Sequence, residues 1–99
     1  MLPHNFHMET LQNEFEILQK IYRNYKNHLK SSILLNRMNE VRKLTLKFIS
    51  NNSPVLKSKL KEKCLDLYIA VSNIYTMGHY KVLCLVLFGL TSRIYKAVD

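Results

Sequence analysis

The chain has 99 residues, 47% hydrophobic and 22% charged, with two glycines and two prolines. That suffices for one domain with a single modest core, so one folded domain is expected rather than two or a disordered chain. Fifteen Lys and Arg against seven Asp and Glu leave a formal charge of +8, and twelve of the fifteen lie between residues 20 and 63, where only Glu40 and Glu62 oppose them. A basic middle between near-neutral, apolar ends is the footprint of a surface that meets a polyanion, most simply a nucleic acid; an acidic protein or an anionic membrane would meet the same surface.

Residues 1–8 have neither the basic start and apolar run of a signal peptide nor the basic amphipathic character of a transit peptide, so they are expected to be loose and no export is expected. The first helix is predicted over about residues 9–27. Leu11, Phe15, Leu18, Tyr22, Tyr25 and Leu29 recur at spacings of four and three, the stripe of an amphipathic helix. Polar residues from Asn24 to Ser32 place a bend there, because Asn27, Ser31 and Ser32 cap helices better than they sit inside them.

A second helix is predicted over about residues 30–49, with the stripe Leu34, Met38, Val41, Thr45 and Phe48 widened by Ile33, Leu44 and Ile49. The clearest break in the chain is Ser50 to Pro54, where Ser53 suits an N-cap and Pro54 the first helical position. The third helix is then expected over about residues 54–77, through Leu56, Leu60, Leu65, Ile69 and Ile74, with Gly78 as its stop. The fourth, about residues 79–98, is apolar nearly all round in its first half and is expected to be the buried element. Its run from Val82 to Leu90 is too short to cross a bilayer, which takes roughly 20 apolar residues. Four helices joined by short turns predict an all-α fold, a single small antiparallel up-and-down four-helix bundle.

Candidate chemistry is sparse. Cys64 and Cys84 lack metal-ligand spacing and read as buried reduced thiols. His4 and His7 have no carboxylate or cysteine cluster beside them. No glycine-rich phosphate loop or nucleophile elbow is present, and Glu14 and Glu16 point in different directions on a helix. No catalytic residue, metal or cofactor is therefore expected, and no small-molecule substrate.

The informative feature is Lys20, Arg23, Lys26 and Lys30, spaced three, three and four. On a helix they form one band centred roughly 120° from the apolar stripe of the same helix. Few acids are placed to pair with them along the helix. Asn24, Asn27 and His28 are interleaved, offering hydrogen bonds to phosphate, 2′-hydroxyl or base edges. Lys57, Lys59, Lys61 and Lys63 alternate, which spreads them round a helix as a general electrostatic skirt rather than a site. Tyr22 and Tyr25 fall on the apolar stripe and are expected to pack in the core with their hydroxyls at its rim.

The segments Asn13 to Leu18 (NEFEIL), Arg23 to Ser32 (RNYKNHLKSS) and Met38 to Lys43 (MNEVRK) resemble the signature of the RNase MRP-specific protein subunit family. So do Met77 to Leu87 (MGHYKVLCLVL) and Ser92 to Tyr95 (SRIY), in the same order and spacing. Lys26 stands where that family usually has Asn and Leu29 where it usually has Arg, and the tryptophan common after the paired small residues is missing. The resemblance implies a compact helical subunit of the RNase MRP ribonucleoprotein, which cleaves precursor ribosomal RNA in the nucleolus. Its partners would be RNase MRP RNA and other protein subunits of that complex, with no membrane involved; the RNA would carry the catalytic centre. Arg23, Asn24, Asn27 and His28 match the family motif, and the charge argument adds Lys26, Lys30, Arg37, Arg42 and Lys43 to the expected RNA contacts. The alternative is a helical protein-interaction module that docks through its apolar C-terminal helix inside a larger complex.

Overall fold

The computed structural model describes residues 3–29, 32–78 and 80–98, with side chains from Met8 onward. It contains four helices, α1 (Pro3–Tyr25), α2 (Ile33–Ser50), α3 (Pro54–Thr76) and α4 (Lys81–Val98). α1 packs on α2 and α4, and α3 packs on α2 and α4, with no contact across either diagonal among the described residues. The contacts run antiparallel. Glu14 meets Arg93 and Tyr25 meets Tyr80 between α1 and the chain at the start of α4, and Lys61 meets Tyr95 while Tyr68 meets Phe88 between α3 and α4. The fold is thus the expected all-α four-helix bundle, 42 Å long and about 20 Å across.

Local chemistry sets the boundaries. The α2 start is capped by Ser32, whose Oγ accepts from the Leu35 N–H at 3.1 Å. Ser53 does the same for α3, accepting from Val55 N–H at 3.2 Å, and Pro54 follows in the first turn, where its missing N–H costs nothing. α3 ends as expected at a left-handed glycine, Gly78 with φ +80°, a conformation that a Cβ would oppose. α2 starts at Ile33 rather than about residue 30, and the start of α1 differs more. α1 begins at Pro3 and takes in residues expected to be loose, consistent with a proline whose fixed φ and lost donor suit a helix start. Lys30, Ser31 and His79, expected inside helices, lie outside the described residues.

The core collects Leu11 and Leu18 from α1, Leu34 and Met38 from α2, Leu60 and Leu67 from α3, and Leu87 and Leu90 from α4. The predicted α2 stripe, Leu34, Met38, Val41, Thr45 and Phe48, is buried in full; Ile33, expected to widen it, is 60% exposed. Thr45 is tolerated in the core because its hydroxyl donates to the Val41 carbonyl at 2.7 Å. Tyr22 and Tyr25 are half-buried against the core as expected.

Two expectations for the second half are corrected. α3 buries Leu60, Cys64, Leu67 and Val71, leaving Leu65 and Ile69 exposed. α4 is not the buried element: it is one of four corners, and Val82, Leu85 and Val86 face outward at 77%, 57% and 42% exposure. A four-cornered bundle buries about one stripe of each helix, so a helix apolar on all sides must leave the rest outside. No described helix is long and apolar enough to cross a membrane.

Candidate nucleic-acid interface

The end of α1 and the turn after it carry Lys20, Arg23, Asn24, Lys26, Asn27 and His28, all exposed. The backbone there is held by Lys26 N–H donating to the Tyr22 carbonyl at 2.9 Å and Leu29 N–H donating to the Tyr25 carbonyl at 2.8 Å. Leu29 returns to the core at 6% exposure. The turn is thus pinned at both ends while its polar side chains point outward. His28 lies beyond the last residue of α1, its ring centroid 6.2 Å from that of Tyr25. No described carboxylate forms an ion pair with Lys20, Arg23 or Lys26. Lys30 lies outside the described residues.

Arg42 extends this surface onto α2. Its guanidinium sits over the Tyr22 ring, 4.7 Å from the centroid. It donates to Asn39 Oδ1 at 2.7 and 3.2 Å and to Gln19 Oε1 at 3.4 Å. All of these partners are neutral, so Arg42 is fixed in place with its charge uncancelled. Gln19, Tyr22, Arg23 and Lys26 fall within roughly 100° of arc on α1, so Arg42, Arg23 and Lys26 share the outer α1/α2 surface. Arg37, by contrast, donates to Glu40 Oε1 at 3.0 Å, which cancels most of its local field.

Sequence reasoning missed a second basic feature. An open groove of about 410 Å³ between α2 and α3 is lined by Lys43, Lys47, Lys59 and Lys63 with Glu40 and Glu62. Lys63 is partly neutralised by Glu40 and Asp66, each at 3.8 Å, whereas Lys43, Lys47 and Lys59 have no described ion-pair partner. The signal was present in spacing: Lys43 with Lys47, and Lys59 with Lys63, are four apart and share a helix face. The alternating lysines of α3 therefore divide between two sides. Lys59 and Lys63 turn toward α2, while Lys61 turns toward α4 and stacks on Tyr95 at 4.8 Å.

No group of three or more metal-ligating side chains occurs among the described residues. Cys64 and Cys84 are buried and not joined in a disulfide. Burial alone pushes the Cys64 thiol up to about 12, and it raises that of Cys84 as well; such thiols are poor nucleophiles near neutral pH. What the surface offers is cations, amide groups and an imidazole at the end of α1 and in the turn after it. Comparison with family models, curated proteins and solved structures finds no match for the chain.

Proposed function

We propose that the chain is a non-catalytic RNA-binding structural subunit of the RNase MRP ribonucleoprotein, supporting precursor ribosomal RNA processing in the nucleolus. The observation that carries RNA binding is the exposed, unpaired set Arg23 and Lys26 with Asn24, Asn27 and His28 interleaved. Cations of this kind hold phosphates, while amides and imidazole reach 2′-hydroxyls and base edges. The particular ribonucleoprotein is proposed from the resemblance of the motif segments, in which Arg23, Asn24, Asn27 and His28 match. The protein would brace folded RNA, and the RNA would supply the catalytic centre. Other protein subunits of that complex would be its neighbours.

The test is titration of RNase MRP RNA with the wild-type chain and with the Arg23→Glu/Lys26→Glu double variant. Both side chains are exposed, so helix content by circular dichroism should be unchanged while association is lost. Association retained by the double variant would overturn the reading. Binding should also weaken steeply with salt, as phosphate contacts require.

A further inference from the structure

We infer that the outer α3/α4 face is a docking groove for an acidic amphipathic helix of another protein, on the opposite side of the bundle from the α1/α2 cations. Two stripes meet there. On α3, Lys61, Leu65, Tyr68, Ser72 and Tyr75 recur at spacings of four, three, four and three; on α4, Lys81, Leu85, Phe88, Ser92 and Lys96 recur at four, three, four and four. Such spacings put each set along one line of its helix.

The contacts place the two lines side by side. Phe88 packs against Tyr68 and Tyr75, with centroids 5.0 and 5.8 Å apart, and Lys61 lies over Tyr95. Between them opens a hollow of about 300 Å³ bordered by Leu65, Tyr68, Thr91, Tyr95 and Lys96. The Thr91 hydroxyl, buried at its edge, has no hydrogen-bond partner. Leu65 on α3 and Leu85 on α4 are 53% and 57% exposed, and with the exposed Tyr68 and Tyr75 beside them they leave a contiguous apolar strip uncovered. Lys61 to Tyr75 spans roughly 21 Å at 1.5 Å per residue, room for a partner helix of about fourteen residues.

Charge selects the occupant. Neither stripe contains an acid, and α4 has none anywhere along Lys81–Val98. Exposed bases close both ends of the groove, Lys81 at one and Lys96 at the other. An apolar centre between cationic ends fits a helix with an apolar stripe and acidic flanks. A second copy of this chain would set lysines against lysines across a two-fold axis. Unpaired RNA bases would need a row of stacking platforms, whereas Tyr68 and Tyr75 are both tilted against the one Phe88 ring, at 52° and 71°, and the exposed Leu65 and Leu85 are aliphatic.

The experiment uses the full chain and two fluorescent synthetic peptides of about fourteen residues. Both carry the same leucine stripe at helical spacing; one has glutamates on its flanks, the other lysines. The acidic peptide should bind, with amide shifts confined to α3 and α4. Leu65→Glu and Leu85→Glu, both at exposed positions, should each weaken it at least ~10-fold, the scale of losing one buried anchor. Lys81→Glu/Lys96→Glu should weaken the acidic peptide and strengthen the basic one. Arg23→Glu/Lys26→Glu should leave peptide binding intact, which separates this inference from the RNA reading. Three results overturn it: no saturable binding of the acidic peptide, displacement of that peptide by single-stranded RNA from the same residues, or a concentration-dependent dimer that Leu85→Glu dissolves.

Discussion

Arg93 reaches across from α4 to form an ion pair with Glu14 on α1, Nε to Oε2 at 2.8 Å. Glu14 is 7% exposed and its second oxygen has no hydrogen-bond partner, so this one ion pair carries the compensation for a carboxylate largely removed from water. Glycine one turn earlier leaves room for the guanidinium along α4: a Cβ on Gly89 would stand 3.0 Å from Arg93 Nη1, close enough to press on its tip.

Replacing Arg93 with Ala should therefore cost more than an ordinary surface ion pair, whose removal is worth about 0–1 kcal/mol. Breaking a fully buried pair costs about 3–5 kcal/mol. Here the arginine side chain is half in water at 51% exposure, which sets the expectation at about 1–3 kcal/mol. Urea unfolding at neutral pH measures it, and Glu14→Gln/Arg93→Ala should lose less than the sum of the two single changes.

Gly89→Ala separates helix propensity from the ion pair. Alanine in a helix interior normally gains about 1 kcal/mol over glycine. At this site the added methyl presses on the flexible arginine tip, which must give by a few tenths of an ångström and loosens the Nε contact to Glu14. The expected net change in the wild-type chain is therefore smaller than that gain. In a Glu14→Gln background, where there is no ion pair to loosen, the same substitution should stabilise by close to the full ~1 kcal/mol. Equal effects in the two backgrounds would show that Gly89 does not serve the bridge.

The buried thiol gives an alkaline prediction. Cys64 ionises near its ordinary value of 9.0 when unfolded but only at about 12 in the fold, because burial disfavours the thiolate. The folded state therefore holds a proton that the unfolded state releases. Stability from this group is complete below pH 9 and declines as pH rises toward 12. Cys64→Ala, though less stable at pH 7 because it leaves a cavity, should lose less between pH 8 and 10 than the wild type. Denaturant midpoints at the two pH values decide it.

The legibility of this fold in the sequence depended on how many faces of each helix are apolar. α2 has one apolar stripe, and every residue of it is buried. Leu65 and Ile69 were misplaced because α3 is apolar on more than one side: Leu60, Cys64, Leu67 and Val71 make an equally good stripe, and only packing against α2 and α4 chooses between them. Ser53, Pro54 and Gly78 were readable since capping chemistry is local. Exposure of Arg23, Asn24, Lys26, Asn27 and His28 followed from their lying off the stripe. The internal bonds of Arg37 and Arg42 did not, and neither did the α2/α3 lysine groove, whose two halves are far apart in sequence and meet only when the helices pair.

That groove supplies a prediction for the proposed RNA contact surface. Lys43 and Lys59 face each other across α2 and α3 with no described carboxylate bound to either. They lie away from the Arg23 and Lys26 turn. If phosphates run along both, each lysine removed should lower the slope of log K against log salt by roughly 0.7–0.9. Lys43→Ala/Lys59→Ala should thus reduce that slope by roughly 1.5, weaken binding to all RNA sequences alike, and leave thermal stability unchanged, since neither side chain has a structural partner. Adding Arg23→Ala should reduce it by roughly one more, additively, if the two patches hold separate phosphates. An unchanged slope in the lysine double variant would confine RNA to the α1/α2 side and leave the groove a solvated face.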